Sequence, residues 1–270
     1  MDFTDCASLA KTVRLDCLRM VYEGQSGHIG SMLSCADILA VLYRRILNVR
    51  PEAPKAPERD RLIFSKGHGG AALFATLAEL GFFPREWLWT YYKDDGKLSG
   101  HISHHVPGVE FSTGSLGHGL PVACGMAMFG KNQRLGRRYF CLVSDGDLDE
   151  GSTWEAIMLA GQHAFGNLCM IVDYNRLQAL GRSRDIIDLE ALDEKLRLFK
   201  WDTVVGENGH DYAAVHEALK DFPCSERPLA VICRTVKGKG VSFMEDDYRW
   251  HYGPITADLY AKAVAEVEEA

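Results

Sequence analysis

Apolar residues recur at helical spacing across residues 7–22 (Leu9, Val13, Cys17, Met20, Val21), which predicts an amphipathic helix. A glycine-punctuated turn follows, Glu23-Gly-Gln-Ser-Gly-His-Ile-Gly30, and Ser34 stands before a second helical run from Ala36 to Leu47. The proline-rich stretch from Arg50 to Pro57 reads as a surface loop. Arg61-Leu-Ile-Phe64 is short, apolar and strand-like; it ends in Ser65-Lys-Gly-His-Gly69 and leads to a helix from Ala71 to Leu80. The second half alternates more cleanly. Strands are predicted at Tyr139–Val143, Leu168–Asp173, Thr203–Val205 and Leu229–Cys233, with helices from about Ser152 to Phe165 and over Tyr212–Leu219. A last helix is expected over Ala257–Val267. Strand, helix, strand at this spacing builds βαβ units, so the expected fold is α/β, a parallel sheet with helices on both faces. No internal repeat or low-complexity stretch interrupts it, and a single domain over residues 1–270 is the simplest expectation. In such sheets ligands bind beyond the carboxyl ends of the strands.

Composition narrows the function. Of the 270 residues, 47% are hydrophobic and 25% charged, and the formal net charge is −7 with Lys and Arg scattered along the chain. That pattern argues against a nucleic-acid-binding face and against a basic membrane-binding surface. Phosphate binding would therefore rest on backbone amides, a metal or a few placed side chains. The eight cysteines form no CxxC pair, and most lie within apolar runs such as Tyr139-Phe-Cys-Leu-Val143, as buried free thiols do. The N-terminus lacks a signal-peptide pattern, and no apolar stretch nears the roughly 20 residues of a membrane span, so a cytoplasmic location is expected.

The most informative segment is Ser144-Asp-Gly-Asp-Leu-Asp-Glu-Gly151, directly after a strand, with Asp173-Tyr-Asn-Arg-Leu177 after the next. Both turns fall at one edge of a parallel sheet, so Asp145 and Asn175 can converge. A carboxylate and an amide oxygen form a hard donor set that suits Mg²⁺ or Ca²⁺ and leaves positions free for phosphates and water. Gly146 lets the backbone approach a diphosphate, and the helix beginning near Ser152 presents a positive end. Asp and Gly are also ordinary turn formers at strand ends; the pairing of the two turns across one βα unit is what carries the signal.

Three histidines sit in turns of small residues, Ser26-Gly-His28, Lys66-Gly-His68 and Ser99-Gly-His101, and a fourth lies in Trp250-His-Tyr-Gly253. Imidazoles so placed can meet hydroxyls or phosphates and move protons near neutral pH. His101, His104 and His105 together also invite a zinc reading, although no Cys or carboxylate partner lies near them.

The Asp145-Gly146 turn with Asn175 resembles the thiamine diphosphate signature, and within that superfamily the sequence looks like transketolase. The resemblance runs from the first helix to the His251 turn. It implies a thiamine-diphosphate-binding fold in which Asp145, Asn175 and the Leu177 carbonyl hold Mg²⁺, with Ca²⁺ as a substitute. It implies further that His28, His68, His101 and His251 line the sugar channel and contact cofactor or substrate. The segment Thr113-Gly-Ser-Leu-Gly-His-Gly119 is similar to the family loop that wraps the cofactor, which adds Gly114, Ser115 and Leu116 to the cofactor-binding set beside His68, Asp145, Gly146, Asp147 and Asn175. Glu150 matches a family glutamate that links active sites across the dimer, and Lys237-Gly-Lys-Gly240 resembles the loop leading to the last histidine. One departure stands out: Ser144 replaces the first glycine of the signature, where a Cβ and hydroxyl would crowd the diphosphate or hydrogen-bond to it.

A complete chain of this type is more than twice as long, and its second half carries the glutamate that activates the aminopyrimidine ring. The resemblance therefore implies the N-terminal subunit of a split transketolase, in a heterotetramer with a separate C-terminal-type subunit, acting on sugar phosphates. Two competing readings remain open: the metal-binding subunit of a 2-oxoacid dehydrogenase, and a non-catalytic scaffold subunit for which Ser144 is the only support.

Overall fold

The sheet follows from two runs that are apolar almost to their ends, β2 (Tyr139–Ser144) and β3 (Leu168–Tyr174), in which every residue is buried. Strands apolar on both sides need cover on both. In the computed structural model, which describes residues 1–270, they pair with β1 (Arg61–Phe64), β4 (Asp202–Gly206) and β5 (Leu229–Arg234). The sheet has five strands, all parallel, in the order β1-β2-β3-β5-β4.

Alternate residues of one run serve opposite faces. Phe140 and Leu142, with Cys169 and Ile171, join one apolar cluster; Tyr139, Cys141 and Val143, with Met170 and Val172, join the other. The first face is covered by α1 (Thr4–Gly24), α2 (Ile29–Ser34), α3 (Ala36–Val41), α4 (Gly70–Glu79), α9 (Tyr212–Leu219) and α10 (Ala257–Glu269). The second is covered by α5 (Gly119–Asn132), α6 (Gly151–Gln162) and α8 (Leu192–Leu198); a single turn, α7 (Ser183–Ile186), follows β3. The expected layering of helices on both faces is present.

The structure differs from the expected elements in four places, one of them the unpredicted short helices α7 and α8 between β3 and β4. The turn before Ala36 contains α2, whose N-cap His28 is in the left-handed region at φ 72°, and Ser34 closes that helix rather than opening the next. The run expected as one helix to Leu47 is α3 followed by a π turn over Leu42–Ile46, where the Leu47 N–H donates to Leu42 O at 2.8 Å. Helix α5 carries no helical signal because Gly119, Gly125 and Gly130 weaken it. Packing explains two of those glycines. A Cβ at Gly119 would lie 2.4 Å from the Ser65 side chain, and one at Gly130 would lie 2.4 Å from the Tyr139 hydroxyl.

The carboxyl ends of β1, β2, β3 and β5 share one edge, with Phe64 beside Leu142, Ser144 beside Asp173 and Tyr174 beside Arg234. Four turns therefore open side by side: Ser65–Gly69, Asp145–Asp149, Asn175–Leu177 and Thr235–Lys237.

Candidate active site

The Ser65 turn sets the first histidine. A Cβ on Gly67 would lie 2.5 Å from the Thr113 carbonyl oxygen, so only glycine allows the Thr113 loop to close over it, and His68 is buried on the next residue. The Thr113 hydroxyl donates to the Phe64 carbonyl at 2.6 Å, which ties this loop to the end of β1. Asp147 completes the fastening: its carboxylate accepts from Ser65 Oγ at 2.7 Å and the Gly117 N–H at 3.0 Å, and from the Ser144 N–H and hydroxyl, both at 2.9 Å. Asp147 therefore lies beneath the cavity and holds its walls together. The Ser144 hydroxyl is turned onto Asp147.

Above these turns lies a cavity of about 240 Å³. The four histidines singled out in the sequence meet there. The His28 ring centroid lies 5.5 Å from His68, 5.8 Å from His101 and 4.9 Å from His251, and His68 lies 5.4 Å from His251. The His28 N–H donates to His251 O at 2.6 Å, which couples the strained turn before α2 to the late loop. Asp145, Gly146, Asn175, Leu177, Gly114 and Leu116 also line the cavity. Ser115 and Glu150 are exposed and outside it, Glu150 standing at the start of α6.

The floor is oxygen-rich. Asp145 is 1% exposed; its carboxylate accepts from the Asn175 N–H at 3.2 Å and from Ser183 Oγ at 2.8 Å. Burial, opposed in part by the Ser183 hydrogen bond, pushes its pKa up to about 7. A carboxylate this costly to ionise, with only neutral donors, suits a divalent cation. Asn175 Oδ1 accepts the Leu177 N–H at 3.1 Å, which aims that turn, and Asn175 Nδ2 reaches Ser34 Oγ at 3.4 Å. No group of three His, Cys, Asp or Glu side chains is disposed to hold a metal, so the zinc reading of His101, His104 and His105 has no support; His104 instead bonds Ser112 Oγ at 2.8 Å.

Two lysines stand at the site: Lys237 lines the cavity and Lys66 lies beneath it. Lys237 is 1% exposed and places Nζ 3.2 Å from Leu177 O and 3.2 Å from His251 Nδ1. Burial and the neighbouring charge of Lys66 pull its pKa down to about 8. Lys66 is fully buried in an ion pair with Asp173. Burial alone would lower its pKa, but Asp173 holds it above the ordinary value. Lys66 is marked in the sequence only by the Ser65-Lys-Gly turn past a strand, and Lys237 by the Lys237-Gly-Lys-Gly240 loop.

Burial also sets the histidines. It lowers His28 to about 4, with help from His101 and Lys237, and His251 to about 3, with help from Lys237 and His28. His68 is held well below its usual value by burial and by Lys66. These three imidazoles are thus neutral at pH 7, in a pocket whose cations favour an anionic ligand.

Residues 6–267 match the family model described as transketolase, thiamine diphosphate binding domain. The chain is 41% identical over 253 residues to one subunit of an apulose-4-phosphate transketolase from Phocaeicola vulgatus, covering 93% of this chain and 90% of that one. It is 37% identical over 267 residues to a 6-deoxy-6-sulfo-D-fructose transketolase subunit of Clostridium sp. (strain MSTE9), covering 98% and 97% of the two chains. A transketolase structure from Campylobacter jejuni superposes with a TM-score of 0.93 at 32% identity, over 99% of this chain but only 43% of that one. The five parallel strands, the paired turns after β2 and β3 and these matches lead to one assignment: the chain belongs to the family of transketolase N-terminal, thiamine diphosphate-binding domains.

Proposed function

We propose that this chain is the diphosphate- and metal-binding subunit of a thiamine diphosphate-dependent transketolase. It would move a two-carbon ketol unit from a ketose phosphate to an aldose phosphate, together with a separate C-terminal-type subunit in a cytoplasmic heterotetramer. One observation carries the reading: four imidazoles ring a cavity whose floor combines a buried carboxylate, an amide oxygen, a backbone carbonyl and a buried lysine.

Asp145, Asn175 Oδ1 and Leu177 O would hold Mg²⁺, with Ca²⁺ able to replace it, since all three are hard oxygen donors. Lys237 adds charge for a diphosphate. Gly146 leaves room beside it, because a Cβ there would press to 2.9 Å on Leu116 Cδ1. When bound, thiamine diphosphate supplies the electron sink for breaking and making a carbon–carbon bond. The chain's own part is to bind, orient and move protons. Neutral His28, His68 and His251 can each donate or accept one hydrogen bond to sugar hydroxyls, and each gains basicity where an alkoxide develops beside it.

The names of the Phocaeicola and Clostridium relatives extend the donor class to ketoses ending in phosphate or sulfonate. Exposed Met128 and Phe129 on α5, with Met158 and Leu159 on α6, supply an apolar surface for assembly.

The test is ketol transfer with thiamine diphosphate and Mg²⁺, run with this chain alone and with the C-terminal-type subunit encoded beside it. Donors would include apulose 4-phosphate, 6-deoxy-6-sulfofructose and xylulose 5-phosphate. Activity confined to the mixture supports the proposal. Turnover of a 2-oxoacid instead overturns the substrate class, and absence of cofactor binding by the mixture overturns the enzyme reading.

A further inference from the structure

Below the cavity, and not lining it, the Lys66–Asp173 ion pair has no exposed side-chain surface. With the two segments it joins, its bonds connect four parts of the chain that carry the site: α2, the chain just past β1, the end of β3 and the chain just past β5. Lys66 Nζ donates to Ser31 O at 2.8 Å, three residues after His28. Lys66 itself is two residues before His68. Asp173 stands at the end of β3, two residues before Asn175, and accepts from Ser34 Oγ at 2.6 Å at the end of α2. The Thr235 hydroxyl, two residues before Lys237, donates to the other oxygen of Asp173. Residues 31 and 34 of α2, and residues 66, 173 and 235, come from four segments distant in sequence that meet here.

We infer that Lys66 and Asp173 are positioning residues: one buried ion pair that fixes the spacing of the His28, His68, Asn175 and Lys237 turns. A buried pair is a poor way to gain stability, because desolvating two charges consumes most of their attraction, and apolar replacements of similar volume are often neutral. What such a pair does supply is geometry. One Asp173 oxygen accepts from Lys66 and from Ser34, the other from Thr235, while the ammonium also donates to Ser31 O. The bonds of the pair therefore run to α2 and to the turns after β1 and β5 in fixed directions. Hydrophobic side chains in the same space would pack without fixing any of those directions. The inference bears on how the site proposed above is held, and its principal readout is independent of cofactor.

The experiment compares wild type with Lys66→Met/Asp173→Leu and with Ser34→Ala/Thr235→Val, each assembled with its partner subunit. Three quantities are measured: melting temperature, backbone amide exchange by mass spectrometry, and affinity for thiamine diphosphate with Mg²⁺. For the first variant we expect a melting temperature within a few degrees of wild type, at least tenfold faster exchange at 29–34, 67–69, 175–177 and 235–237, and unchanged exchange in β2. Cofactor affinity falls at least tenfold. The second variant leaves the ion pair and its bond to Ser31 O, and removes the Ser34 and Thr235 hydroxyls, the former also a partner of Asn175 Nδ2. Faster exchange is then confined to 29–34, 175–177 and 235–237 while 67–69 is unchanged; this variant keeps the test decisive if the first does not fold. Unchanged exchange at these segments in a folded variant overturns the inference, as does faster exchange spread evenly over the sheet. If wild type binds no thiamine diphosphate, the proposed function fails while the exchange data still decide the role of the pair.

Discussion

Lys237 Nζ lies 3.2 Å from Leu177 O, the carbonyl proposed above as a metal ligand. A divalent cation held by this carbonyl would repel and compete with the ammonium beside it, so in the proposed loaded site Lys237 would turn toward the diphosphate. Lys237→Met should therefore act in opposite directions on two ligands. Mg²⁺ alone should bind more tightly, because its competitor is gone. Thiamine diphosphate with Mg²⁺ should bind about 10- to 100-fold more weakly, the usual worth of a hydrogen bond to a charged group. Titration calorimetry on the assembled protein checks both signs. Weakening of both ligands equally would mean the lysine only supports the fold.

Metal-free stability should depend on pH through two opposing sets of groups. His28 and His251 titrate near 4 and 3 in the fold, and His68 also well below its usual value, so each favours the neutral form. Their contribution is intact above the unfolded value near 6.5 and is lost as pH falls through the folded values. Asp145 does the reverse: its folded value near 7 lies above the unfolded one, so it gains stability as pH falls from 7 toward 4. Three groups outweigh one, and the net expectation is a fall in melting temperature from pH 7 to 4.5. Asp145→Asn removes the compensation, so its melting temperature should exceed wild type at pH 8 and fall more steeply with acid. Parallel curves for the two proteins would contradict the assignment. The same variant should lose Mg²⁺ binding at pH 8, read by calorimetry.

Two glycines of the site should respond differently to alanine. At Gly67 the added Cβ would meet the Thr113 backbone at 2.5 and 2.6 Å, and a strand-anchored loop cannot move away cheaply. Gly67→Ala should lower the melting temperature by about 5–10 °C, the scale of an overpacked contact of a few kcal/mol. At Gly146 the close atom is Leu116 Cδ1, the tip of a flexible side chain. Gly146→Ala should keep its melting temperature within about 2 °C and yet weaken cofactor binding about tenfold, because Leu116 lines the same cavity. Thermal denaturation beside calorimetry separates the two outcomes.

How far the sequence discloses this site follows from the range of the interactions. Strands β2 and β3 are legible because both faces demand apolar residues, and Asp145 and Asn175 because parallel strands end at one edge. The four histidines are legible as small-residue turns, although their convergence needs the fold. Lys66 with Asp173 is not legible: the partners are separated by 107 residues and look like ordinary turn residues until β1 and β3 are placed one strand apart. Helix α5 escapes for the opposite reason, since its glycines serve close packing against Ser65 and Tyr139 and override local propensity.

Ser144 is the residue on which a scaffold reading would rest, and its geometry makes a specific prediction. Its backbone, at φ −107° and ψ 172°, is extended, so this turn has no need of glycine there. Its hydroxyl donates to Asp147 at 2.9 Å and forms a capping box with the first turn after β2. Ser144→Gly should therefore leave affinity for thiamine diphosphate and Mg²⁺ within about threefold of wild type, a change smaller than the loss of one hydrogen bond would cause. It should cost about 1–2 kcal/mol of stability, from the lost hydrogen bond and the added freedom of glycine in the unfolded chain. Calorimetry and urea denaturation on the assembled protein measure both. A large gain in cofactor affinity would show that the side chain at 144 obstructs the diphosphate, and that the hydrogen bond to Asp147 does not hold it clear of the site.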